Sequence, residues 1–398
     1  MMKKSILFIY DSMMTGGTTT ALLSLINLID KNNFDIDLLL FENEGAYFDS
    51  IPSFVHILDK AHIGKSSSTR TQKISWFFLS LRFLKVLFSF LKYWNTPKGK
   101  IRNIAMHYGM KCQVAISRRV DKSYDYAVSF MEGWGNEYLV SKKIKAGKKI
   151  VWYHPQYNDC YLIPEIDRKI CAKANSICVV SEDCKKQFLD NFKEYKQKVF
   201  VVHNILSSNL LKTKANNFDF SVDSNFINIC TICRLDSYVK GLDRIIASMK
   251  KLRDENLLNF VKWHLIGDGK DYQLVVDLIK ENNLCNYILL YGNKTNPYPY
   301  LKKMDLFLLT SRYEGKPVSV TEAEILGVPC MITNYSSASE QVTNGINGII
   351  VNNDDKSIYE GLKSIITNKN VLIQYKKNLS SQNFSNEEDI KEFYEVLN

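Results

Sequence analysis

Between Lys60 and Arg119 the chain holds no aspartate or glutamate, although 13 lysines and arginines fall there. That segment carries the basicity of the whole molecule, because the rest of the chain sums to −3 of the net +10. No run inside it reaches the 18 or more apolar residues of a membrane-crossing helix, so a spanning segment is excluded there. No second pair accompanies Cys230-x-x-Cys233, and in a strand those two side chains would point to opposite faces, which argues against zinc. Nine cysteines are an odd number. With no secretory leader read ahead of them, free thiols in a reducing compartment are expected. Nor is there a G-x-G-x-x-G fingerprint or a recognised nucleic-acid-binding module.

What is present is length and alternation. At 398 residues, 45% of them hydrophobic, the chain can bury two cores of about 200 residues each. Apolar strands alternate with helical stretches throughout, which predicts two doubly wound α/β domains. The polar segment from Ser207 to Asn225, just after Val201-Val-His-Asn204, is the expected boundary.

The most informative stretch runs from Thr310 to Glu340, TSRYEGKPVSVTEAEILGVPCMITNYSSASE. Leu306 to Leu309 reads as a buried parallel strand, Glu314-Gly315 as the loop after it, and Pro317 as the opening of a helix. Glu314 then lies at the strand's carboxyl edge, and Glu322, about a turn and a half into the helix, can point back to the same crevice. A second reading stands beside it: Ser319-Val-Thr-Glu322 also fits a capping box, in which Glu322 serves only the backbone.

The pattern S-R-Y-E-G-x-P followed by E-A, L-G-x-P and T-N resembles the nucleotide-sugar site of retaining glycosyltransferases of family 4, which have the GT-B fold. The resemblance covers most of the chain and is most specific from Arg234 to Glu340. It implies two Rossmann-like domains facing a central cleft: residues 1–207 on the acceptor side with a basic helical insert at about 66–119, a donor-binding domain at 226–380, and a final helix at 381–398 that in this fold often crosses back. The family's E-x7-E is matched by Glu314, which would approach the donor sugar, and Glu322, which would bind the ribose. Arg234 and Lys240 would bind the donor diphosphate; Cys233 stands where the family usually has glycine. Arginine supplies a planar fork and lysine a mobile point charge, a suitable pair for a departing pyrophosphate.

Further donor contacts follow from the same resemblance. Gly267 ends one strand, and Gly292-Asn293 ends the next in the base-facing loop. Gly315, Lys316, Pro317 and Val318 form the entry to the donor helix. Gly16 and Gly17, after the first strand, would let the backbone approach the donor phosphate and sugar. His154, after Ile150-Val-Trp-Tyr153, would orient a hydrogen bond near the sugar's reacting face. The implied reaction retains anomeric configuration, with the leaving phosphate taking the acceptor's proton. No metal or other cofactor is expected, because the only Asp-x-Asp, Asp35-Ile-Asp37, runs directly into a strand.

Inside the basic segment, Lys73 to Trp94 places Ser75, Arg82, Lys85, Ser89 and Lys92 on one helical stripe, with aromatic and aliphatic residues covering most of the rest. A basic face opposite an apolar one suits a helix lying on an anionic membrane surface, with Arg82, Lys85 and Lys92 as the contacts; an insert packed on the first domain is the plainer alternative. The combined expectation is a cytoplasmic, peripherally membrane-bound enzyme that moves a sugar from a nucleotide-diphosphate sugar, UDP for preference, to a lipid-linked or polysaccharide acceptor, with no nucleic-acid partner. A nucleotide-sugar epimerase of the same fold and a non-catalytic membrane scaffold are the alternatives.

Overall fold

The computed structural model describes residues 3–58, 98–117, 119–160, 162–382 and 384–398. The stripe residues Arg82, Lys85 and Lys92 lie outside them. Two sheets carry the fold. The first has seven strands in the order β3-β2-β1-β4-β5-β6-β7: β1 Lys4–Ser12, β2 Phe34–Glu42, β3 His56–Ile57, β4 Ser123–Ser129, β5 Lys145–Tyr153, β6 Ser176–Val179 and β7 Val199–Val201. The second has six, in the order β10-β9-β8-β11-β12-β13: β8 Ile227–Ile232, β9 Val261–Ile266, β10 Ile288–Gly292, β11 Leu306–Leu309, β12 Cys330–Thr333 and β13 Gly348–Val351. All named pairings are parallel.

The sequence favours this because most of its strands carry runs of three or more consecutive buried residues rather than strict alternation, as strands covered on both faces do. β11 shows the result: Leu306 and Leu308 enter one core, while Phe307 and Leu309 enter the core on the opposite face. The helix Leu242–Asp254 buries Leu242, Ile245, Ile246, Met249 and Leu252 along a single stripe against β8 and its neighbours. The last helix, Ile390–Leu397, packs on the first sheet: Phe393 stacks on Phe8 with ring centroids 6.1 Å apart, and the Tyr394 hydroxyl accepts the Asp30 N–H at 3.0 Å.

Between Ser207 and Asn225 the chain is not merely a polar connector. It forms the helix Ser208–Ala215, capped by Ser207, with Leu211 and Ala215 buried against Tyr298 and Val318. Two apolar residues four apart were enough to dock a short helix there, although the surrounding composition is polar.

The carboxyl edges of the two sheets face each other. The Thr15 hydroxyl, after β1, donates to Asn293 Oδ1 at 3.0 Å, after β10. The Gln156 amide, after β5, donates to Ser336 Oγ, after β12. The Ser181 hydroxyl, after β6, reaches the Gly315 carbonyl at 3.4 Å, after β11. In open parallel sheets this edge is where ligands bind.

Candidate active site

The loop after β8 brings two cations to the cleft in different states. Arg234 is exposed, and its guanidinium makes no hydrogen bond or ion pair with a described residue. Gly267 lets this loop sit tightly on the end of β9: its φ is +147°, and a Cβ there would fall 1.9 Å from the Cys233 carbonyl oxygen. Asp236 then caps the turn Ser237–Lys240, accepting the Val239 N–H at 3.3 Å. Lys240 closes that turn, and its ammonium lies 2.5 Å from Glu314 Oε1, to which the Ser311 hydroxyl also donates at 2.6 Å. The pair is largely buried, with 18% and 12% of the two side chains exposed. Burial pulls the Lys240 ammonium down, but the adjacent Glu314 carboxylate more than offsets it and leaves it above the ordinary lysine range.

At Gly315 the two domains approach closely. A Cβ on it would lie 2.0 Å from the His154 carbonyl oxygen, so only glycine allows the Glu314 loop to reach the end of β5. Lys316 is held between its Glu340 partner at 3.8 Å and the Asn204 amide, which donates to its carbonyl at 3.4 Å; burial pulls its ammonium below the usual range. Pro317 occupies the N-cap of the helix Val318–Ile325. Val318 packs against Gly17, whose absent Cβ would sit 3.0 Å from the valine's own. Gly16, Gly17, Gly315, Pro317 and Val318 are thus brought to one seam, and Gly292 and Asn293 border it through Thr15.

Glu322 lies on the helix Val318–Ile325 and is 5% exposed. It does not form the capping box: Ser319 is already inside the helix, and Glu322 Oε1 accepts the Tyr298 hydroxyl at 2.8 Å. Burial raises its carboxyl to about 7, with the Tyr298 hydroxyl and then Lys214 pulling the other way. From the first domain, Tyr47 faces the same carboxylate; burial, then Glu322, pushes its hydroxyl up to about 12. The Lys214 ammonium stands over the Tyr47 ring, 5.2 Å from its centroid.

His154 is committed differently from what its position suggests. Its Nε2–H donates to the Phe130 carbonyl at 2.7 Å, its ring stacks on Trp152, and burial lowers it to about 4, so it is neutral at physiological pH. The N–H that was expected to serve the sugar is therefore spent on backbone. The His154 amide N–H instead donates to Glu132 Oε2 at 3.2 Å. Burial raises Glu132 to about 7, with Asp11 adding to the rise and Arg234 opposing it. Glu132 and Asp11, at the ends of β4 and β1, together with Tyr298, Tyr47 and Lys214, are the cleft groups that sequence reasoning missed. For Glu132 the signal was available, since it stands between a strand end and Gly133, the same acid-glycine pattern as Glu314-Gly315.

Asp35 and Asp37 are far from such an edge. Both lie early in β2, and Asp37 is buried, accepting the Tyr124 hydroxyl at 2.6 Å and the Lys122 ammonium at 3.0 Å. Among the described residues, one group could hold a metal: His203, Asp389 and Glu392, whose ligand atoms lie within 4.8 Å of one another. It sits where the last helix meets the chain after β7, and His203 Nδ1 is already paired with Glu392 at 2.9 Å. No described helix is long and apolar enough to cross a membrane.

Residues 212–383 match the glycosyl transferases group 1 family. That range contains Arg234, Lys240, Glu314 and Glu322. Over 386 residues, 94% of this chain and 93% of its relative, the sequence is 24% identical to a Campylobacter jejuni N-acetylgalactosamine-N,N'-diacetylbacillosaminyl-diphospho-undecaprenol 4-alpha-N-acetylgalactosaminyltransferase. It is 28% identical over 134 residues, 32% of this chain and 34% of the relative, to an Escherichia coli UDP-Gal:alpha-D-GlcNAc-diphosphoundecaprenol alpha-1,3-galactosyltransferase. Among solved structures, Anabaena HepE in complex with UDP and glucose superposes with a TM-score of 0.71 over 99% of both chains at 16% identity. Staphylococcus aureus TarM superposes with a TM-score of 0.67, at 13% identity, over 99% of this chain and all of the other. The two parallel-sheet domains are the GT-B fold. With a group 1 domain in its second half, the chain is a glycosyltransferase.

Proposed function

We propose that this enzyme is a retaining, metal-independent transferase that moves a sugar from a UDP-sugar to a lipid-linked or cell-surface polysaccharide acceptor at the cytoplasmic face of a membrane. The observation that carries this reading is the pairing of a free and a neutralised cation: the Arg234 guanidinium makes no hydrogen bond or ion pair with a described residue, while Lys240 is fixed on Glu314. An unpaired guanidinium is suited to grip a diphosphate bidentately as it gains charge, which is worth most where water is excluded. Lys240, anchored by Glu314, supplies a second positive charge in a fixed place. The free N–H groups of the helix beginning at Val318 add partial positive charge on the same side.

Glu314 lies next to these cations and next to the Gly315 contact with the first domain, the place a donor sugar would occupy between diphosphate and acceptor. His154 is not placed as a general base, with its Nε2–H spent on the Phe130 carbonyl and its Nδ1 buried, and this supports proton transfer to the leaving phosphate itself. The lipid-linked acceptors named for the relatives, and the basic segment before Arg119, support the acceptor class and the membrane setting.

The test is a panel of nucleotide sugars assayed by thermal unfolding, since a ligand that binds the folded state raises its midpoint by mass action, followed by transfer assays with and without excess EDTA. The account expects a UDP-sugar to stabilise the wild type and Arg234→Ala to lose that stabilisation, with transfer undiminished by EDTA. Transfer abolished by chelation and restored by a divalent cation overturns the metal-independent reading.

A further inference from the structure

Glu322 owes its position to a residue 24 places earlier. Tyr298 is 1% exposed, in the short helix Tyr298–Leu301, and its ring is packed among Leu206, Leu211, Val318 and Ile325. The segment is fixed at its start: Asn296 donates its amide to the Lys214 carbonyl at 2.8 Å and accepts the Tyr298 N–H at 3.3 Å. A buried phenol needs a partner for its hydroxyl. Tyr298 donates its hydroxyl to Glu322 Oε1 at 2.8 Å, with the Thr20 and Tyr47 hydroxyls also beside it. The carboxylate of a buried glutamate is thereby held by a rigid ring.

We infer that Tyr298 is a positioning residue for Glu322, holding the carboxylate in one orientation and keeping it an acceptor, so that its remaining lone pairs meet the hydroxyls of a nucleotide ribose. This rests on the reading of Glu322 as the ribose contact. The groups that face the carboxylate are Tyr298 and, from the other packed elements, Lys214 on the helix Ser208–Ala215 and Tyr47 from the first domain. Burial raises Glu322, and the Tyr298 hydroxyl is the largest influence opposing that rise, ahead of Lys214. Without the hydroxyl, Glu322 keeps its proton at neutral pH and loses most of its capacity to accept from a ribose.

The test is the pH dependence of UDP-glucose affinity by titration calorimetry, for wild type, Tyr298→Phe and Glu322→Gln. The diphosphate diester and uracil of this probe do not titrate between about pH 5.5 and 8.5, so an acid limb reports the protein. Wild-type affinity should fall as pH drops through about 7. In Tyr298→Phe the limb should move up by about one pH unit, with binding about fivefold weaker at pH 7 and nearly wild type at pH 8.5, since a hydrogen bond to a charged group is worth about one unit or more. Glu322→Gln should be weak and flat across the range. If Glu322→Gln flattens the limb while Tyr298→Phe leaves it unmoved, Tyr298 has no positioning role. If Glu322→Gln binds as the wild type does, the ribose reading of Glu322 itself is wrong. Should Tyr298→Phe fail to fold, 3-fluorotyrosine at position 298, a more acidic donor, must move the limb to lower pH; an unchanged limb overturns the inference.

Discussion

Arg234 and Lys240 carry the same charge to the same cleft, yet their replacement by alanine should have opposite consequences for stability. Arg234 is exposed, and its guanidinium makes no hydrogen bond or ion pair with a described residue. Arg234→Ala should therefore change folding stability by no more than about 0.5 kcal/mol, the range of ordinary surface substitutions. Its effect belongs to the reaction: a charge-assisted contact to a departing phosphate is worth about 1.5–3 kcal/mol, so turnover should fall about 10- to 150-fold. Lys240→Ala, by contrast, strips its partner from a carboxylate that is only 12% exposed and leaves it with the Ser311 hydroxyl alone. Breaking a buried pair from one side costs about 3–5 kcal/mol, so this variant should unfold earlier as well as turn over more slowly. Adding Glu314→Gln to Lys240→Ala removes the stranded charge and should recover part of the stability without recovering transfer. The assays are chemical denaturation and the release of UDP in the presence of acceptor. A folded Arg234→Ala enzyme with unchanged turnover, or a Lys240→Ala enzyme as stable as wild type, refutes this division of labour.

Gly315→Ala should preserve nucleotide binding to the second domain but cut turnover more than tenfold, because its Cβ would meet the His154 carbonyl at 2.0 Å and hold the domains apart; equal kcat for the two proteins would show that the close approach is not needed. Thermal stability should be highest between about pH 4.5 and 6.5 and fall on both sides. Glu132 and Glu322 at about 7 and Glu324 at about 8, raised by burial, hold protons the unfolded chain has lost, so stability drains as pH rises from the ordinary carboxylate range through those values; His107, His154 and His264, lowered to about 4, lose stability as pH falls from the ordinary histidine range toward that value. Glu324→Gln keeps an acceptor for the Asn347 amide and should remove a few kcal/mol of the alkaline decline, read as the unfolding midpoint at pH 8.5 against pH 6; an unchanged slope would contradict it. Reversing Arg82, Lys85 and Lys92 to glutamate should release the protein from anionic vesicles in sedimentation, since each basic residue at such a surface contributes about 1 kcal/mol, and wild-type protein that never sediments with them would remove the membrane proposal.

The doubly wound architecture was legible because β8, β9 and β11 are short, mostly apolar runs followed by glycine- or charge-bearing turns, a pattern that suits strands covered on both faces. The convergence of Lys240 on Glu314 could be anticipated for the same reason: each follows a strand, the two strands are neighbours, and their carboxyl edges coincide. Glu322 was ambiguous, since a capping box and an inward-facing carboxylate have the same local spacing, and the choice is made by Tyr298, which no periodicity connects to it. His154 shows the converse. Its place after β5 was clear, but the commitment of its N–H to Phe130 depends on β4 lying beside β5 in register, which is a tertiary fact. Lys214 and Tyr47 meet Glu322 only because the linker folds into a helix and the first domain closes on it.

The central claim is that Glu314, Lys240 and Arg234 carry sugar transfer on one face of the donor, without a metal. The most direct measurement is proton NMR of the product formed from a UDP-α-sugar in excess EDTA, read through the coupling constant of the transferred sugar's anomeric proton. An α-linked product, formed about 10- to 150-fold more slowly by Arg234→Ala, is the result expected; a β-linked product, or none until a divalent cation is added, would contradict the account.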